Sequence, residues 1–124
     1  MNMMTKVLII EDEKPAQDHL ERILKKVDPD VQILDKIDSV KTAVTWLQNH
    51  QADLIFMDIQ MPEMDGLEAT RRIRQDLHLS IPIIALTANI MIEDQQKYLR
   101  AGMDAYLPKP FDPDQLYQIL HRFM

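Results

Sequence analysis

The sequence predicts a doubly wound α/β fold, a five-stranded parallel sheet of order 2-1-3-4-5 with helices on both faces. Three observations lead there. Apolar runs open near positions 6, 31, 53, 82 and 105, so a strand recurs every 22 to 29 residues. Helical periodicity fills the gaps, and strands alternating with helices make a parallel sheet covered on both sides. Right-handed crossovers then narrow the topology, placing strands one and three together at the switch point, where ligands bind outside the strands' carboxyl ends.

The first strand is read in VLIIED, Val7 to Asp12. Pro15 suits a first helical position, and Ala16, Leu20, Ile23, Leu24 and Val27 form the apolar stripe that follows. VQILDKI is more mixed than the other runs and suits a sheet edge. Ser39 reads as an N-cap, followed by Val40, Ala43, Val44 and Leu47 at i, i+3, i+4 and i+7. The third strand is DLIFMD, Asp53 to Asp58; Asp65 then caps a helix that begins at Gly66 and buries Ala69, Thr70, Ile73 and Leu77. IIALT, Ile83 to Thr87, is the fourth strand. A weakly striped helix over Met91 to Ala101 follows, with Gly102 where a C-cap belongs. AYLPKP, Ala105 to Pro110, is the fifth strand, and Leu116, Ile119, Leu120 and Phe123 line the last helix.

A chain of 124 residues is one domain by length, residues 1–124, and no repeat, low-complexity stretch or linker divides it. The net charge of −6 argues against unaided nucleic-acid binding, which depends on neutralising phosphates, and against an anionic membrane surface. With no cysteine there is no disulfide framework and no thiolate metal site, which fits a reducing compartment. MNMMTK lacks the apolar stretch of a signal peptide and no run approaches transmembrane length, so a cytoplasmic protein is expected.

Parallel strands would bring Glu11, Asp12, Asp58, Thr87 and Lys109 out at one sheet edge. Two carboxylates at about 4 Å repel by roughly 4 kcal/mol at an effective dielectric near 20. A hard divalent cation bound through oxygens relieves this, and Mg²⁺ commonly takes one or two carboxylates with waters and phosphate oxygens. Zinc is a poor fit without Cys or a nearby His. A carboxylate beside such a cation can attack a phosphoryl donor and form an acyl phosphate. The transfer chiefly needs its equatorial oxygens neutralised, by the metal, by Lys109 and by the Thr87 hydroxyl. Glu13, Glu63 and Asp65 are read as solvent-facing acids. His19, His50, His78 and His121 fall away from the strand ends and are read as surface residues. Trp46 sits off its helix stripe, so partial exposure is expected.

At the acidic pair of IIEDE (Glu11, Asp12), MDIQMPEMDG around Asp58, LTA at Thr87 and YLPKPF at Lys109, the chain resembles the receiver domains of two-component response regulators. The match spans nearly the whole chain and implies the flavodoxin-like (βα)5 receiver fold. The half through DLIFMDI resembles regulators with a LytTR-type DNA-binding output domain. MDIQMPEMDGLEATRRIR and IIALTANIM resemble receivers of hybrid histidine kinases.

The resemblance implies that Asp58 accepts phosphate from a histidine kinase or phosphotransfer protein. Asp12 would ligate Mg²⁺ (Mn²⁺ as a substitute) directly, Glu11 through water, and the backbone carbonyl of Gln60 would add a ligand. Thr87 and Lys109 hold the phosphoryl group, Tyr106 moves with Thr87, and the Lys109–Pro110 bond is cis. Gln60 and Asn89 flank the attack path and tune dephosphorylation. The signal would leave through the fourth helix, fifth strand and fifth helix, with Ile90 and Ile92 outward, toward an output domain or effector protein or a phosphorylation-dependent homodimer. Such a domain catalyses only its own phosphorylation and dephosphorylation, without direct nucleic-acid or membrane binding. A haloacid-dehalogenase-type phosphatase is the enzymatic alternative, but its second Asp falls where this chain has Gln60. A flavodoxin-like cofactor binder needs a Ser/Thr/Gly-rich phosphate loop where this chain has Glu-Asp-Glu. An unphosphorylated receiver-like adaptor is the third, but every residue expected of a phosphorylated site is present.

Overall fold

The computed structural model describes residues 5–59, 66–88 and 92–123, with α4 side chains from residue 96 onward. Its elements are β1 (Lys6–Ile10), α1 (Lys14–Val27), β2 (Gln32–Ile37), α2 (Val40–Asn49), β3 (Leu54–Asp58), α3 (Gly66–Gln75), β4 (Ile83–Thr87), α4 (Ile92–Ala101), β5 (Ala105–Pro108) and α5 (Pro113–Phe123). The strands pair in parallel in the order β2-β1-β3-β4-β5, as the sequence predicts.

Alternation along the strands builds two cores, one on each face. Leu8, Ile10, Ile55, Met57, Ile83 and Ala85 face one way and pack under α2, α3 and α4. Val7, Ile9, Leu54, Phe56, Ile84 and Leu107 face the other way, under α1 and α5. β3 and β4 are buried at every position, which is why their sequences read as unbroken apolar runs. β2 lies at the edge, and only Ile37 of its residues is fully buried.

Local signals largely hold. The Ser39 hydroxyl accepts from the Thr42 amide at 3.1 Å and caps α2. Gly102 closes α4 at φ 109, a left-handed conformation that favours glycine. Among the described residues no helix is long and apolar enough to cross a membrane.

Four expectations need correction. β1 stops at Ile10, the last residue paired with both neighbours, so Glu11 and Asp12 belong to the following loop. Pro15 is the second helical residue, after the N-cap Glu13 and Lys14; that position also has no intrahelical acceptor to lose. Leu77 lies beyond the end of α3 yet still packs against the core. His19 is half-buried, with its ring 5.5 Å from that of Phe111. His50, His78 and His121 are exposed, and Trp46 is partly so. The Asp65 cap, Glu63 and the outward placement of Ile90 and Ile92 fall outside the described residues and side chains.

Candidate functional site

Strand register places the polar residues together. Ile10 pairs with Met57, Asp58 with Leu86, and Thr87 with Pro108. Glu11 therefore leaves β1 beside Asp58, and Lys109 leaves β5 beside Thr87, its amide donating to the Thr87 carbonyl at 2.8 Å. The Lys109–Pro110 peptide is cis. From there the Lys109 ammonium reaches back across the sheet edge, 2.9 Å from Glu11 Oε1 and 3.4 Å from Asp58 Oδ2.

Glu11, Asp12 and Asp58 each offer a carboxylate oxygen, and these oxygens lie within 4.8 Å of one another. Burial is deep for two of them: the side chains of Glu11 and Asp58 are 1% and 7% exposed. Among the described residues, the buried Glu11 Oε2 and Asp12 Oδ1 meet no hydrogen-bond partner. Orphaned buried carboxylate oxygens are costly, and an oxygen-seeking divalent cation satisfies them. The donor set, all oxygen, fits Mg²⁺ and offers no thiolate or imidazole for a softer metal.

Electrostatics agree with that fit. The Glu11 carboxyl is pushed up to about 8 by burial first, then by its hydrogen bond to Asp58 and by the charge there, with Lys109 pulling the other way. Burial lowers the pKa of Lys109, but its hydrogen bonds and charge interactions with Glu11 and Asp58 outweigh this and hold it above the ordinary lysine value. Protons and a divalent cation would compete for this one pocket of carboxylates.

Thr87 is 3% exposed at the end of β4. Tyr106 on β5 is 36% exposed, more open than the half-buried aromatic its strand position would give. Gln60, Asn89, Met61 and Met64 lie outside the described residues.

Sequence reasoning missed three supporting residues. Gln17 is buried and donates its amide to the Glu11 carbonyl; the available signal was an amide on the stripe of Leu20 and Leu24. Gly66 brings α3 hard against the chain after Asp58: a Cβ there would lie 2.7 Å from Ile59 Cα and 3.1 Å from the Asp58 carbonyl oxygen. Arg74 ties the carbonyls of Leu79, Ile81 and Gly102 to the Asp104 carboxylate, which in turn accepts from the Ile83 amide. That clamp sits where β4 and β5 begin, at the opposite end of the sheet. No sequence pattern marks it.

Comparison with known proteins fits this geometry. Residues 7–121 match the family model of the response regulator receiver domain. The chain is 38% identical to a probable histidine kinase 6 of Oryza sativa subsp. japonica, over 95% of this chain but only 14% of that protein's length. Among solved structures it is similar to the chemotaxis response regulator CheY4 of Vibrio cholerae, with TM-score 0.86 and 28% identity over 98% of this chain and 100% of that one. It is also similar to the receiver domain of a sensor histidine kinase from Pseudomonas aeruginosa PAO1, with TM-score 0.83 and 35% identity over 98% of both chains. That structure has a magnesium ion coordinated in its active-site cleft. The chain belongs to the family of response regulator receiver domains.

Proposed function

We propose that the chain is a phosphorylation-dependent switch that accepts a phosphoryl group on Asp58 from a histidine kinase or phosphotransfer protein. One observation carries the reading: Asp58 ends a central strand within 4.8 Å of two further carboxylates and 3.4 Å from the Lys109 ammonium. A carboxylate oxygen of Asp58 attacks phosphorus, the bond from phosphorus to the donor's nitrogen or oxygen breaks, and an acyl phosphate forms. Mg²⁺, held by Asp12, Asp58 and the Gln60 carbonyl with Glu11 helping through water, would supply charge neutralisation at the phosphoryl oxygens. Lys109 is already at the attacking group and turns from carboxylate to phosphoryl oxygen as the bond forms. Thr87 accepts the role of hydroxyl donor from the end of β4, and Gln60 and Asn89 tune how water enters to reverse the reaction. The domain acts catalytically only on itself.

The phosphoryl group brings nearly two negative charges, which bias a pre-existing two-state equilibrium. Thr87 is drawn toward it, Tyr106 turns inward, and the face of α4, β5 and α5 changes. Leu99, Tyr106 and Tyr117, all large and exposed, lie on those three elements and support this as the face that meets an output domain, an effector or a second copy. A cytoplasmic location belongs to this reading, and the net charge of −6 supports neither nucleic acid nor an anionic membrane as a direct ligand. The test is incubation with acetyl phosphate and Mg²⁺ followed by intact mass measurement. A labile gain of one phosphoryl group is expected, abolished by Asp58→Asn and by chelation; no gain in the parent protein overturns the reading.

A further inference from the structure

We infer that Gln17 is a positioning residue for the acidic site, setting the Glu11–Asp12 peptide so that both carboxylates face the cation. The inference rests on the function proposed above. β1 ends at Ile10, and the Glu11 amide makes the last bond to β2, donating to the Ile37 carbonyl at 2.8 Å. The Glu11–Asp12 peptide comes next, beyond the paired residues of β1. The Glu11 carbonyl, which belongs to that peptide, turns toward α1 and accepts from the Gln17 side-chain amide.

Gln17 is suited to that task. It is 7% exposed, on the stripe where Leu20 and Leu24 enter the core, and a buried amide there is costly unless it is bonded. Its own backbone amide donates to the Glu13 carbonyl at 3.0 Å, so the first turn of α1 anchors it. The corner from residue 11 to residue 17 is thereby closed by one main-chain and one side-chain bond. The bonds from the Glu11 amide and to the Glu11 carbonyl hold the two successive peptide planes on either side of the Glu11 Cα, which sets the direction in which its side chain leaves. The second plane leads directly into Asp12. Glu11 and Asp12 each have one buried oxygen that meets no hydrogen-bond partner among the described residues. Gln17 also lines, with Asp12 and Lys14, a groove of about 350 Å³ beside the site. Orientation of ligands by an outer hydrogen bond is a general feature of metal sites, and its removal typically weakens metal affinity about tenfold or more.

The test substitutes Gln17→Met, which keeps length and loses the donor, in the full chain. Mg²⁺ binding is measured by titration calorimetry, phosphorylation by acetyl phosphate at saturating Mg²⁺, and metal-free stability by thermal unfolding. The Mg²⁺ dissociation constant is expected to rise about tenfold, with the rate at saturating Mg²⁺ within about twofold of the parent. If the variant does not fold, Gln17→Asn, which draws the amide back by one methylene, is expected to move the constant in the same direction. A lowered Tm with unchanged Mg²⁺ affinity overturns the inference and leaves the phosphoryl-transfer reading standing. A parent protein that binds no Mg²⁺ overturns both.

Discussion

Lys109 and Glu11 are 98 residues apart in sequence, and their side chains meet at 2.9 Å. β1 and β5 are not neighbours, since β3 and β4 lie between them. The contact exists because the lysine side chain spans the sheet edge above those two strand ends, meeting Asp58 on the way. It makes Lys109 the cation that balances the acidic cluster before any metal or phosphoryl group arrives.

Replacing Lys109 by Met should separate binding from chemistry. Without the ammonium the carboxylates attract Mg²⁺ more strongly, so Mg²⁺ affinity rises several-fold, while labelling of Asp58 slows at least about tenfold because a phosphoryl oxygen loses its partner. Calorimetry and intact mass read the two effects, and parallel losses in both would contradict this division of roles.

The raised pKa of Glu11 gives a pH dependence of definite sign. A carboxyl that keeps its proton up to about 8 when folded, against 4.5 otherwise, contributes stability that is complete below the lower value and is lost as pH rises through the upper. Metal-free protein should therefore lose thermal stability from about pH 5 to about pH 9 relative to Glu11→Gln, whose amide does not titrate. Mg²⁺, which displaces the proton, should bind more tightly over the same rise. Parallel melting profiles for the two proteins would refute the assignment.

Gly66→Ala should cost about 1–3 kcal/mol, because the added methyl meets the Ile59 backbone and cannot be accommodated by a side-chain rotation. The same contact borders Asp58, so slower phosphorylation should accompany the loss. Urea unfolding and the labelling rate measure both.

Arg74→Ala should behave differently. Its guanidinium serves three carbonyls and the Asp104 carboxylate at the far end of the sheet, so removal should cost roughly 3 kcal/mol. Mg²⁺ affinity and labelling rate should stay close to those of the parent, and a changed affinity would mean the clamp is coupled to the site.

Tyr106 provides the conformational prediction. A structure with a phosphoryl mimic on Asp58 should show the ring buried well below its present 36% exposure, with Thr87 displaced toward the mimic. An unmoved ring beside an altered α4–β5–α5 face would remove it from the switch.

The sheet, its order and the meeting of Glu11, Asp12, Asp58 and Lys109 at one edge were legible in the residues because they rest on short-range rules. Apolar runs such as LIFMD and IIALT mark strands buried on both faces, and their spacing leaves room for right-handed helical crossovers. Once the strands are parallel, Glu11, Asp12, Asp58, Thr87 and Lys109 must share an edge. Ser39 and Gly102 announced helix ends through backbone chemistry that needs no distant partner.

What packing decided has a different origin. Nothing along the chain says that β1 stops one residue before Glu11, that Lys109 bridges Glu11 and Asp58, or that Gln17 holds the peptide between the two acids. His19 became half-buried because Phe111, after the cis peptide, came to lie beside α1. Periodicity records which face of an element is buried. Which atoms then meet depends on side-chain reach and on hydrogen bonds between segments far apart in sequence, and those are settled when the layers close.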